Sequence, residues 1–164
     1  MLFLTFHLGR DRYAIEATRV LEVLPLLGLE RLPHAPAGVA GIFNLRGHFV
    51  PAIDLNELNF GRPAGERLTT RIIVVRYADS MGHSHPLGLI AEYVTQTLRK
   101  EPQDFVNPGI AISQAPYLGP VLMDPQGPIQ WLQIEHLVSE PIRQLLFPQS
   151  VSAVTGSKLT HEPA

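Results

Sequence analysis

An all-β fold is expected from this sequence, on three observations. Short apolar segments of strand character recur along the chain. They are punctuated by 13 glycines and 15 prolines, and several pairs of them flank turn-forming clusters at hairpin distance. Stretches with helical character are brief. Many short hairpins with frequent breakers point to closed barrels, which leave no strand edge exposed to another chain. With 164 residues, 45% of them hydrophobic and 17% charged, the chain is long and apolar enough to bury a core, as one domain or two small halves.

Taken in order, Leu2, Leu4, Phe6 and Leu8 alternate as one face of a strand. Gly9-Arg10-Asp11-Arg12 has turn chemistry, and Tyr13-Ala14-Ile15 reads as the hairpin partner. Residues 16–24 predict a helical turn running into a strand, and Pro25 prevents a regular helix beyond it. Pro33 and Pro36 stiffen a connection at 29–38. The stretch at 41–55, GIFNLRGHFVPAIDL, has two apolar runs broken by Arg46-Gly47-His48, a strand, turn, strand pattern.

Residues 56–60 fit one helical turn, and 61–65 a surface loop. The block Ile72-Ile73-Val74-Val75 predicts a strand buried on both faces. Across a polar loop at 78–86 it pairs antiparallel with a long strand at 87–98, where Gly88 suits close backbone approach. Residues 101–116 form an irregular crossover. A third hairpin, 117–123 with 129–134, turns at Asp124-Pro125-Gln126-Gly127-Pro128. Short helices at 135–140 and 141–147 close the fold, Pro141 standing at a first helical position, and 149–164 reads as a flexible tail.

Composition narrows the function. A net charge of −2 gives no electrostatic case for nucleic acid, so proteins are the expected partners. The chain has no cysteine, which removes thiol chemistry and thiolate metal sites. Neither a Gly-x-Ser-x-Gly elbow nor a phosphate-binding glycine loop occurs, so no catalytic residue and no cofactor is expected. The N-terminal apolar stretch lacks the length of a membrane span and the flanks of a leader, so a cytoplasmic protein without direct membrane insertion is expected. His83 and His85 support a rival reading, a β-barrel metal- or ligand-binding regulatory module. Two histidines without further ligands are a poor zinc site, however, and a solvated loop is the simpler reading. His34 and His48 flank the central hairpin and are read as exposed or as polar contacts at an interface.

Arg46 is the residue that asks for an explanation. A permanent cation flanked by apolar residues needs an acidic partner or a ligand to offset its desolvation. Glu16, Glu22, Asp54 and Glu92 are all candidates.

The run Asn44-Leu45-Arg46-Gly47, followed by Val50-Pro51 and Ile53-Asp54-Leu55 and preceded by Pro33, Pro36 and Gly41, resembles the signature of CheW-like domains. Those are adaptors that couple bacterial chemoreceptors to a CheA-type histidine kinase. Val20-Leu21-Glu22-Val23 is similar to the family's V-x-E-V segment, and the resemblance extends over roughly nine tenths of the chain. It implies two SH3-like five-stranded β-barrel subdomains sharing a core, with short helices. Residues 1–148 would form the domain, with 2–59 plus the helix at 135–147 as one subdomain and 68–134 as the other.

The resemblance also implies a structural ion pair of Glu22 with Arg46. It places a receptor groove between the barrels, lined or supported by Val20, Glu22, Gly41, Asn44 and Arg46, with Ile73 and Gly88 facing it from the second half. Implied partners are the cytoplasmic tip of a methyl-accepting chemoreceptor and the regulatory domain of the kinase, at membrane-bound receptor arrays. Glu92 stands where the family usually has Asp, a departure that suggests a specialised pathway such as a surface-sensing one.

Overall fold

The computed structural model describes residues 1–26, 28–110, 112 and 114–148; the tail expected at 149–164 lies outside them. Its strands are β1 (Leu2–Leu8), β2 (Asp11–Glu16), β3 (Val20–Pro25), β4 (Val39–Leu45), β5 (His48–Asp54), β6 (Arg71–Ala78), β7 (Ser84–Arg99), β8 (Leu118–Asp124) and β9 (Gly127–Leu132). Helix α1 (Leu55–Phe60) follows β5, and α2 (Glu140–Leu146) is the last helix or strand among the described residues. Single 3-10 turns at Ala17–Arg19, Pro102–Asp104 and Ile134–His136 complete it.

Pairing divides these strands into two groups of five. One runs β3, β6, the first half of β7, β5, β4, and the other runs the second half of β7, β1, β2, β9, β8. Each group contains one parallel pair, β5 with β7 and β2 with β9, while the remaining pairs are antiparallel. Each is closed by one further bridge. Glu30 exchanges both backbone hydrogen bonds with Ile42 at 2.9 Å, and Val106 does the same with Val121 at 2.8 and 2.9 Å.

The two groups therefore have one topology, the SH3-like barrel expected, but in different chain order. The barrel of β3 to β7 is contiguous. The other takes its last two strands, β1 and β2, from the start of the chain. This corrects the boundaries expected at 59 and 68: hydrogen bonding assigns β3, β4 and β5 to the same barrel as β6, not to that of β1 and β2. The 16-residue β7 serves both barrels. It changes partners where Tyr93 takes a positive φ of 51° and the register against β1 shifts between Thr5 and His7.

Side-chain alternation then produces three cores. From β6, Ile72 and Val74 point into the β3–β7 barrel with Phe43, Val50, Ala52 and Ile90. Ile73 and Val75 point the other way, into a core shared with Phe6, Ile15, Leu89, Leu132 and Phe147. All four β6 residues are completely buried, which is why the block shows no polar alternation. Phe3, Ala14, Phe105, Leu122 and Ile129 fill the other barrel. Each fully buried aliphatic or aromatic side chain contributes about 1.5–3 kcal/mol relative to exposure, and the shared core draws on both barrels.

Helix α1 begins where it does because buried Asp54 caps it. Its Oδ1 accepts from the amides of Asn56 (3.0 Å) and Glu57 (3.1 Å), while Oδ2 accepts from Ala64 (2.9 Å) and ties down the following loop. Gly61 ends the helix in the left-handed region at φ 77°. Asn59, near the end of α1, links the barrels: its Nδ2 donates to the Tyr13 hydroxyl (3.4 Å) and its Oδ1 accepts from that of Tyr117 (3.0 Å).

Candidate functional site

The β4–β5 hairpin closes on a two-residue turn, Arg46-Gly47, with Leu45 opposite His48. Both central residues have positive φ, 51° and 87°, the type I′ geometry whose twist matches that of paired strands. The Gly47 amide donates to Asn44 Oδ1 at 2.8 Å, which fixes the turn from within. Arg46 projects from this tip to β3. Its Nη1 donates to Glu22 Oε2 at 2.8 Å and its Nη2 to Glu22 Oε1 at 2.7 Å, a bidentate pair. The Glu22 hydrogen bonds raise the guanidinium's already high pKa, so its charge is permanent.

The Arg46 side chain is 72% exposed and that of Glu22 28%. The expectation of a cation lodged among apolar neighbours is therefore corrected. Leu45 lies on the strand, while Arg46 is already at the tip of the turn, where its sequence neighbours do not enclose it. The ion-pair partner is Glu22, as the resemblance implied. The other candidates are placed otherwise: Asp54 caps α1, Glu92 Oε1 accepts from the Gly65 amide at 3.1 Å, and Glu16 ends β2.

Of the seven residues expected at a docking groove, all belong to one barrel, because β3, β4, β5, β6 and the first half of β7 pair with one another. The clamp therefore sits on the face of that barrel, bridging its β3 to its β4–β5 tip, rather than between two barrels. Val20 is half-buried against the shared core and Asn44 is exposed. Gly41 is buried at a bulge with φ 146°, where a Cβ would stand 2.3 Å from the Glu30 carbonyl oxygen; it permits barrel closure. Ile73 is completely buried in the shared core. Gly88 lies under the Phe43 ring, with 2.7 Å between a hypothetical Cβ and Phe43 Cε1. These last two are corrected from groove-facing to packing positions: strand alternation directs them inward.

Exposed apolar groups on the clamp's strands are a feature that only the structure brings out. On β3, Val20, Glu22 and Leu24 are half-buried, while Leu21 (48%) and Val23 (37%) are exposed. Phe49, opposite Asn44, is 69% exposed. The alternation Val20-Leu21-Glu22-Val23-Leu24 was the signal available, since a glutamate on one face of an edge strand reverses the usual assignment of apolar residues to the interior.

His34 and His48 are exposed. His83 and His85 do have an acid nearby. Asp79 Oδ2 lies 3.0 Å from His85 Nε2 and 3.6 Å from His83 Nδ1, and its Oδ1 accepts from the Met81 and His83 amides, all brought together by a tight turn. The His85 ring also stacks on Phe147 (centroids 4.4 Å apart), so it anchors the end of α2 to the β6–β7 hairpin. Among the described residues no group of three or more His, Asp or Glu side chains could hold a metal ion.

A family profile for the CheW-like domain matches residues 2–141. This chain belongs to the CheW-like domain family. Curated relatives include the chemotaxis protein CheW of Helicobacter pylori, 35% identical over 103 residues, which are 62% of this chain and 59% of that protein. The chemotaxis protein CheW of Treponema pallidum is 30% identical over 108 residues, 63% of this chain and 61% of that protein. The chain thus spans about six tenths of the length of these relatives. Among solved structures, the scaffolding protein TtCheW from Thermoanaerobacter tengcongensis superposes with a TM-score of 0.72 at 25% identity, covering 84% of this chain and 87% of that one. In this CheW-like domain no described helix is long and apolar enough to cross a membrane.

Proposed function

We propose that this CheW-like domain is a non-catalytic chemosensory adaptor that couples methyl-accepting chemoreceptors to a CheA-type histidine kinase on the cytoplasmic side of receptor arrays. The observation that carries the reading is the Glu22–Arg46 clamp: a bidentate pair held at the surface across a type I′ turn, with exposed Phe49 on the same hairpin and exposed Leu21 and Val23 on the opposite face of β3 from Glu22. An exposed pair contributes little to folding, so an arrangement this specific fits the fixing of register with another polypeptide, the neighbouring apolar groups supplying the affinity. The receptor tip is the partner assigned to this face, with Asn44 and Gly41 shaping the turn and Val20, Ile73 and Gly88 supporting it from beneath. Adaptor action further requires contacts that differ between two kinase states, since equal affinity for both shifts nothing.

The relatives are chemotaxis proteins and the structural neighbour is described as a scaffolding protein, which supports this class of function. Calorimetry with a soluble receptor-tip fragment tests the docking assignment. Arg46→Asn keeps a residue suited to positive φ and removes the cation, so the fold should persist while affinity falls. Unchanged affinity would remove the docking role.

A further inference from the structure

The β1–β2–β9–β8 barrel has a polar mouth that the receptor-docking assignment does not use. Its cavity, about 420 Å³, is lined by Thr5, His7, Arg10, Arg12, Tyr93, Thr95, Gln96 and Gln126. Two of the eight are arginines and none is a carboxylate. Arg12 stands on the inward face of β2, two residues from core-facing Ala14, and its side chain is only 16% exposed. It is held from outside the lining by Asp124, through one hydrogen bond of 2.8 Å from Nη1. A guanidinium offers five donors; the described residues engage one of them here, in contrast to the two-pronged clamp at Arg46. Arg10, at the β1–β2 turn, is exposed and makes no side-chain hydrogen bond or ion pair among the described residues.

The cavity lining itself carries cations and no acid, although the chain is net negative. Besides the two arginines, Arg67 donates to the Tyr93 hydroxyl from beside the rim, and Lys100 acts electrostatically on Asp124. The acids nearby are Asp124, Asp11, which is exposed between the two arginines at the start of β2, and Glu92, whose Oε1 accepts from the Gly65 amide. Tyr93 sits at the left-handed kink of β7 with its ring against His7, centroids 5.1 Å apart. Backbone strain of this kind persists where the surroundings fix it, and it concentrates at binding sites. Barrel mouths are recurrent ligand sites when a few polar groups converge over an apolar interior. Here the interior beneath is Phe3, Phe105 and Ile129.

We propose that the mouth of this barrel binds an oxyanion, the carboxylate or phosphate group of a small solute, between Arg10 and the free edge of Arg12, with Gln96, Gln126 and Thr95 as neutral partners. The anion would join the β1–β2 turn to the β8–β9 turn and to β7, on the opposite barrel from the Glu22–Arg46 clamp, so the site is independent of the docking face.

The test is a titration of the full chain with inorganic phosphate and, separately, with succinate, following the backbone amide resonances of Thr95, Gln96 and Gln126, with sodium chloride at matched ionic strength as reference. Saturable shifts confined to these amides are expected for at least one probe. In Arg10→Gln, whose exposed side chain bears no structural load, affinity should fall about tenfold, in line with loss of one charge-assisted hydrogen bond. Tighter binding of phosphate assigns a phosphoryl ligand, and tighter binding of succinate a carboxylate. Shifts no larger than those from chloride, or an Arg10→Gln protein that titrates like the parent, would overturn the proposal.

Discussion

Gly88→Ala is the sharpest single perturbation this structure offers, because it separates packing from docking at a position the family resemblance assigns to a partner. Gly88 lies on β7 between Ala52 of β5 and Val74 of β6. A methyl group there would meet Phe43 Cε1 at 2.7 Å and Ile72 Cγ2 at 3.0 Å. Real Cβ atoms do not approach a ring carbon that closely, and Phe43, 3% exposed, cannot swing out without opening the barrel. Forcing a methylene-sized group into a filled core costs about 1–3 kcal/mol. Alanine in place of glycine also restricts the unfolded chain, which offsets about 0.4–1 kcal/mol. The steric term wins, and a net loss of roughly 1–2 kcal/mol is expected, or about 2–8 °C in thermal midpoint for a domain of this size.

Urea denaturation monitored by circular dichroism measures this loss, and calorimetry on the folded variant should give a receptor-tip affinity close to that of the parent. A second substitution, Phe43→Leu, removes the obstructing ring. The double variant should then be more stable than the two single losses predict, with a coupling of about 1 kcal/mol. Stability within about 0.5 kcal/mol of the parent together with lost affinity would place Gly88 at the partner's surface and refute the packing argument.

Two further outcomes follow from the same geometry. Asp54→Ala removes a helix cap worth about 1 kcal/mol and leaves the Ala64 amide without its acceptor, worth about 1–3 kcal/mol more; a combined loss of roughly 2–4 kcal/mol in chemical denaturation is expected, and Asp54→Asn, which keeps the capping oxygen, should lose less. Tyr13, Tyr77 and Tyr117 all have phenol pKa values raised chiefly by burial. As pH climbs through the unfolded value near 10, the unfolded chain releases protons that the folded one keeps, so stability falls. Tyr117→Phe should therefore flatten the decline of the urea midpoint between about pH 9 and 11, and an unchanged slope would contradict the burial assignment.

Local features were the legible ones. The Ile72–Val75 block announced a strand buried on both faces, since neither face carried a polar residue. The Arg46-Gly47 turn was readable from a glycine between two apolar runs, and one helical turn was expected at 56–60, although its cap, Asp54, was counted instead among the acids that could pair with Arg46. What the sequence withheld was the grouping of strands into barrels. That depends on pairs such as β1 with β7 and β2 with β9, between residues as far apart as Arg12 and Ile129, and the two barrels share topology without a detectable repeat of residues. The same non-locality hid the closing bridges at Glu30 and Val106, each a single residue in an irregular segment.

At the site, the pairing of Glu22 with Arg46 came from the family pattern, because four acids were equally plausible by neighbourhood alone. The exposure of Arg46 was misjudged because apolar residues adjacent in sequence point away from a turn tip. Asp79 was missed beside His83 and His85 because only the tight turn after β6 brings its carboxylate back to them.

The adaptor account is tested most directly by reconstituting a CheA-type kinase with receptor-containing membranes and measuring its autophosphorylation rate with and without this chain. The parent protein should make the rate responsive to receptor ligand, and Arg46→Asn, folded to the same extent, should not. A kinase rate that ignores the parent chain, or that responds equally to parent and variant, would contradict it.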